Sequence, residues 1–426
     1  MRRSLNVASR RWNQMNSRQR ILASIDHCEP DVLPVDFGST SVTGISATTY
    51  FKLTKTLGMS KSKTRVYDVV TQLAQPEQEI LEKFQSDAID VGRLYNEDDR
   101  AWKEIILPNG IPVQFPAWFQ PIPQPDGAWD VYDQDGDRIA TMPLGATFFD
   151  QTYFPYRQGY PSNYKDLSKA MAKVHWSKLV RSPWDHSGEP DFWDHLRQRV
   201  IAYRQNSEKA IVITAGCSIF EMGCFLRSME NFLVDILASP VEVETLLDAL
   251  MEMHLETLGK ICNAVGDVVD ILRFGDDLGT NMGPIMSPKT YRSLFKPRHK
   301  ILCDYVKKHS QMRIFLHSCG SVYKLIPDLI EAGYDILNPI QISAKDMEPE
   351  RLKREFGKDI TFWGGGCDTQ HVLYNGSPED VKSHVRKNIE IFAPGGGFVF
   401  ATVHNILSDV PPENVIAMFE AVNEYR

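Results

Sequence analysis

The sequence predicts an α/β protein built as a single (β/α)8 barrel, and three observations carry that expectation. Short β-rich segments alternate with amphipathic helical stretches, and those β-rich segments are apolar almost throughout. No Gly-x-Gly-x-x-Gly stands between the first strand and a helix. Apolar strands separated by helices argue a parallel sheet covered on both faces. Eight such units suit closure better than the rival open doubly wound sheet, which lacks its usual phosphate loop here.

The expected strands are 33–38, 86–92, 210–216, 270–276, 312–318, 335–341, 359–365 and 397–404. Between them, stretches such as SPKTYRSLFKPRHKILCDYVKKH and PEDVKSHVRKNIEIFA read as helices with one apolar stripe. Residues 97–160 break the rhythm. They are rich in Trp, Pro, Asp and Gly, with turn signals at Pro108-Asn109-Gly110 and Asp135-Gly136-Asp137. A β-hairpin insertion after the second strand is expected there, followed by helices near 163–207. Rim loops often cover a barrel's active site, so substrate selectivity is expected in this insertion. Residues 1–20 read as an N-terminal extension and 21–426 as the barrel.

A chain of 426 residues, 42% hydrophobic and 24% charged, has ordinary globular composition. Its net charge of −8, with no long basic block beyond the first twenty residues, argues against nucleic acid as a partner. The basic opening MRRSLNVASRRWNQMNSRQR lacks the apolar core of a secretory signal, a transit peptide being the other reading. No apolar run approaches the roughly 20 residues that span a bilayer, so a soluble, cytoplasmic protein is expected. Seven cysteines at irregular spacing do not make a disulfide framework. Cys28, Cys262 and Cys303 are expected to be small buried hydrophobes.

In such a barrel the working groups sit where strands end. The fifth strand ends in His317-Ser318-Cys319-Gly320, and the seventh in Gly364-Gly365-Gly366-Cys367-Asp368. The fourth ends in Asp276-Asp277, Glu221 follows the third, and the eighth ends in His404-Asn405. Side chains two apart on a strand point the same way, so His317 and Cys319 form a pair that a third thiol, Cys367, can complete. Imidazole and thiolate donors suit zinc and disfavour magnesium or calcium. Two rival readings are packed core residues, or a Cys319–Cys367 redox pair. Cys217 is a further candidate ligand. Glu221 reads as a fourth ligand, a general base or a helix-start carboxylate. Of the adjacent Asp276 and Asp277, at most one faces the pocket, and the other caps a turn. His27 lies on the wrong rim, and His371 reads as a surface residue at a helix start.

Here the chain resembles the uroporphyrinogen decarboxylase superfamily over nearly its whole length. The resemblance is carried by NSRQRILASIDHCEPDVLPVDFG, DDLGTNMGPIMSPKTYRSLFKP, FLHSCGSVYKLIPDLIEAGYDILNP and PPENVIAMFEAV. It implies a (β/α)8 barrel and one of two activities, porphyrinogen decarboxylation or zinc-dependent methyl transfer to or from a corrinoid. A decarboxylase of this kind carries an arginine motif after its first strand. Here that stretch reads GSTSVTGISATTYFK, without arginine. The methyltransferase branch is marked by His-x-Cys and a later Cys as zinc ligands, which His317 and Cys319 match. In many members the third ligand ends the last strand, where this chain has Thr402 and His404, so Cys367 would take its place from one strand earlier. His404 also matches a histidine of the decarboxylases, and a substrate contact is implied for it. The expectation is a zinc methyltransferase acting on a methyl ether, amine or thiol, with the corrinoid supplied by a partner protein. Glu221, Asp276 or Asp277 would handle protons, and the family includes homodimers. Decarboxylation, and ligand binding without catalysis, are the alternatives.

Overall fold

The computed structural model describes residues 14–426. Most of the expected N-terminal extension lies outside them. The first helix, Ser17–Ile25, is capped by Asn16, whose side chain accepts from the Gln19 N–H while the Gln19 side chain bonds back.

A seven-stranded parallel sheet follows the chain almost in order: Ala88–Asp90, Ala210–Gly216, Ile271–Gly275, Arg313–His317, Ile336–Asn338, Thr361–Trp363 and Phe398–Val399. The fold is α/β and TIM-barrel-like. Seven of the eight expected strands are in this sheet. The eighth, expected at 33–38, is a short extended segment beside both outer strands. Phe400 N–H donates to Pro34 O at 2.9 Å, Asp36 N–H to Phe400 O at 2.8 Å, and Asp87 N–H to Val35 O at 2.7 Å.

Alternation along the strands divides the sheet's inner face into two layers. The lower layer is apolar: Ala88, Val212, Ile271, Phe315, Ile336, Trp363 and Val399 form one buried cluster, with Ile21 and Ile25 of the first helix packed among them. Two residues further along five of these strands stand Asp90, Thr214, Arg273, His317 and Asn338, all buried. The polar layer rests on a hydrophobic floor.

Between Asp90 and Ala210 lie antiparallel strands, among them the hairpin Trp102–Ile106 with Pro112–Pro116 and the pair Trp129–Tyr132 with Arg138–Met142. Helices follow, ending in Phe192–Asn206. The stretch read as one helix near 287–309 is interrupted by a wider turn, Tyr291–Phe295, before Lys296–His309. Cys262 and Cys303 are buried as expected, whereas Cys28 is exposed. No helix among the described residues is long and apolar enough to cross a membrane.

Candidate metal and substrate site

His317, Cys319 and His404 converge, each offering a ligand atom within 4.8 Å of the others. His317 ends the strand Arg313–His317, and the extended chain carries Cys319 to the same side. The turn beyond Cys319 is held by close backbone packing. Gly320 adopts φ +83°, and a Cβ there would lie 2.5 Å from Gly279 C. Only glycine fits such a contact.

The two imidazoles are held differently. The Asn338 amide donates to Trp363 O at 2.8 Å, which turns its Oδ1 toward His317 Nδ1 at 2.6 Å. His317 Nδ1 therefore carries the proton, and Nε2 presents a lone pair to Cys319 Sγ at 3.3 Å. This is how buried carbonyl partners orient a metal-binding histidine. His404 Nδ1 accepts the Asn405 N–H at 2.7 Å, so the neutral ring carries its proton on Nε2. Burial pushes both histidines down to about 3, with Arg273 adding to the effect. Burial, with Asp277 and Glu221 nearby, pushes the Cys319 thiol well up. A neutral imidazole and a thiol that must lose its proton are the donors that a soft cation, not a proton, would satisfy.

The other expected ligand, Cys367, is not in this cluster. It lies fully buried in the hydrophobic core, its Sγ 3.9 Å from Asp368 O. Counting by twos from the inward Trp363 would turn residue 367 inward. Gly364 and Gly365 have φ of +118° and +73°, which ends that alternation. His404 stands where Cys367 was expected. Cys217 is also outside the cluster, buried among apolar residues.

Asp276 and Asp277 point different ways, as adjacent residues on an extended chain do. Asp276 is saturated: it accepts N–H bonds from Ile219, Phe220 and Glu221 at 3.3, 3.0 and 2.8 Å, and lies 3.0 Å from His299 Nε2. His299 Nδ1 in turn meets Tyr291 OH at 3.0 Å, from the widened helical turn. Asp276 is therefore a positioning residue that fixes the start of the helix Phe220–Arg227. Asp277 faces the cavity, accepting the Cys319 N–H at 2.8 Å with Oδ1 3.7 Å from His317 Nε2. Glu221 lines the same cavity. Burial, and the neighbouring Asp277 and Asp276, push its carboxyl well up.

His317, His404, Asp277 and Glu221 line a cavity of about 540 Å³, the size of a small-molecule site. None of its lining comes from residues 97–160, where selectivity was expected. The outer wall comes instead from 171–184, including Trp176, Arg181 and Trp184. Trp184 Nε1 fastens that wall to Thr214 O at 2.8 Å. Arg181 and the inward Arg273 were not singled out in the sequence. Arg273 was legible as the lone charge inside an otherwise apolar strand.

The uroporphyrinogen decarboxylase (URO-D) family model matches residues 196–425, more than half of the chain and all of the cluster, and the chain belongs to that family. Curated relatives are named uroporphyrinogen decarboxylase. The protein of Pseudoalteromonas translucida (strain TAC 125) is 24% identical over 194 residues, 44% of this chain and 50% of that protein. That of Methylococcus capsulatus is 44% identical over 97 residues, 23% of this chain and 26% of its own length. That of Geobacter sulfurreducens is 22% identical over 263 residues, covering 60% and 70%. The chain thus spans about half the length of the first relative and a quarter of the second. Among solved structures, a methyltransferase from Methanosarcina mazei superposes with a TM-score of 0.57 at 16% identity, covering 96% of this chain and 99% of that one. At that identity the likeness concerns the fold.

Proposed function

We propose that this protein is a zinc-dependent methyltransferase, moving a methyl group between a small molecule and a corrinoid carried by a partner protein. The observation that carries the reading is the cluster itself: His317 with its lone pair aimed by Asn338, Cys319 beside it, and His404 across from them. The Cys319 thiolate, the His317 imidazole and the His404 imidazole, the last through an Nδ1 that must first give up the Asn405 N–H, would make a three-donor set of the catalytic rather than the structural kind. The Methanosarcina mazei methyltransferase of the same fold supports the choice of branch. In this reading residues 33–38 are the eighth strand closing the barrel, and the antiparallel strands within 97–160 are an insertion after the second strand.

Zinc bound there would supply Lewis acidity to the heteroatom that bears the methyl group. The chain's own residues do the rest. Cys319 gives up its proton on binding, and Asp277 fixes its backbone. Glu221, whose carboxyl burial and the neighbouring Asp277 and Asp276 push well up, would supply the proton for the heteroatom that loses the methyl group. The apolar wall of Trp176, Trp184 and Phe225 limits water around the transfer.

The two arginines of the cavity favour a second reading, decarboxylation of a carboxylate-bearing tetrapyrrole, the activity in the relatives' names. Metal analysis separates the two. Protein prepared without chelator should hold about one zinc per chain, and His317→Ala should lose metal and methyl transfer together. A zinc-free wild type that converts uroporphyrinogen to coproporphyrinogen would replace the first reading with the second.

A further inference from the structure

We propose that the small-molecule substrate carries a carboxylate, and that Arg181 and Arg273 are the residues that hold it. The inference deepens the methyl-transfer reading by naming the substrate's class, and rests on that reading for the cavity's role.

Two guanidinium groups enter one cavity from different elements, and neither is hydrogen-bonded to a protein carboxylate, although Arg181 has Asp68 as an ion-pair partner and Glu221 and Asp277 lie near Arg273. Arg273 Nε and Arg181 Nη2 are both buried without a hydrogen-bond partner among the described residues. Arg273 is only 8% exposed. The carboxylate nearest Arg181, Asp68, stands 3.7 Å away, beyond a hydrogen bond. The hydroxyls of Thr71 and Thr214, in the same cavity, are likewise buried and unpartnered. Four orphaned polar atoms in one pocket are costly unless something fills them. All four can donate a hydrogen bond to a carboxylate, and the guanidinium fork matches its two oxygens.

The surroundings say what the rest of the molecule is like. Trp176, Trp184 and Phe225 line the cavity beside the arginines, a setting for a flat apolar body. Arg273, His317 and His404 line the same cavity, and Arg273 stands two residues before Gly275, the strand partner of His317. A compact molecule can therefore touch both places. An octacarboxylate would leave most of its charges without a counterpart, because the cavity's remaining charged side chains are acidic: Asp68, Glu221 and Asp277.

The test is direct binding to the full-length protein, followed by tryptophan fluorescence or calorimetry, with benzoate, its neutral isostere benzamide, and inorganic phosphate. Benzoate should bind and benzamide should bind about 10- to 100-fold more weakly. Arg273→Gln and Arg181→Gln should each remove that preference while the zinc content stays at the wild-type level. Arg273→Lys, which keeps the charge but not the fork, should retain part of it and guards against a folding defect. Equal binding of benzoate and benzamide, or a preference that survives both glutamine variants, overturns the proposal. Phosphate displacing benzoate at equal concentration also overturns it, since the site would then be a general anion site. His317→Ala should lose zinc yet keep the benzoate preference. A zinc-free wild type that prefers benzoate would end the methyl-transfer reading and leave this one standing. A zinc-loaded protein without the preference would do the reverse.

Discussion

Two strand ends of this sheet look alike in sequence and do opposite things. Each carries a cysteine near the rim, with glycine beside it. After Arg313–His317 the chain stays extended for two more residues, so Cys319 follows His317 toward the cavity. After Thr361–Trp363 three glycines intervene, two of them at positive φ, and Cys367 turns into the core. Its backbone there braces the last strand, accepting from Val403 N–H at 2.9 Å. A glycine after the cysteine lets the backbone pack closely while the side chain keeps its direction. Glycines before it erase the direction altogether.

The largest expected contrast comes from removing each thiol in turn. Cys319→Ala should take the zinc content from about one per chain to none, because a three-ligand site does not survive on two. Cys367→Ala should keep its zinc and lose only packing, roughly 0.5–3 kcal/mol of stability. Metal analysis and a denaturation curve on both variants check the pair. Zinc lost from Cys367→Ala but kept in His404→Ala would restore the ligand set read from the sequence.

A smaller effect sharpens the same contrast, because it concerns aim and not ligand identity. Asn338 touches no metal in the proposed site, yet it decides which nitrogen of His317 is free. Asn338→Ala should weaken zinc binding by about 10- to 100-fold, read by competition with a chromogenic chelator. Asn338→Asp, which keeps an acceptor for Nδ1–H, should recover most of that loss. Equal affinity in all three proteins would mean that the ring needs no such orientation.

Much of this was legible in the sequence, and the part that was not has a physical cause. Seven strands could be read from apolar runs because the sheet buries both faces. The 33–38 segment shares that signal but pairs by only a few bonds. His317 and Cys319 were legible because a two-residue spacing on an extended chain fixes a common side. Cys367 was misplaced because that rule fails across glycines at positive φ. His404 was seen but given another role: it adopts φ +65° itself, so its direction could not be counted from the strand before it. Arg181 was out of reach, since it comes from an irregular segment placed by tertiary contacts, among them Trp184 Nε1 to Thr214 O and Ser182 Oγ to Asn96 Oδ1.

The smallest expected effect tests another member of the polar layer that holds His317. Asp90 is buried on the first strand of the sheet and accepts the Gly92 N–H at 2.6 Å. Burial pushes its carboxyl up to about 6, with Arg181 and Arg273 opposing and Asp36 adding to the rise. A raised carboxyl binds its proton more tightly in the folded chain than in the unfolded one, whose value is about 3.9. Below about pH 4 both states are protonated and the group is neutral to stability. Between about 4 and 6 the unfolded chain has released its proton while the folded chain still holds it, so stability falls as pH rises. Above 6 the deficit is constant. Asp90→Asn, whose amide oxygen can still accept from Gly92, removes the titration. Its melting temperature should match the wild type near pH 4 and exceed it by a few degrees at pH 7 to 8, measured on zinc-free protein so that metal release does not enter. No advantage at pH 8 would mean that burial does not raise Asp90, and an advantage already present at pH 4 would mean that it comes from packing and not from titration. Either outcome would leave the layer of Asp90, Thr214 and Arg273 different from the floor beneath it in polarity alone.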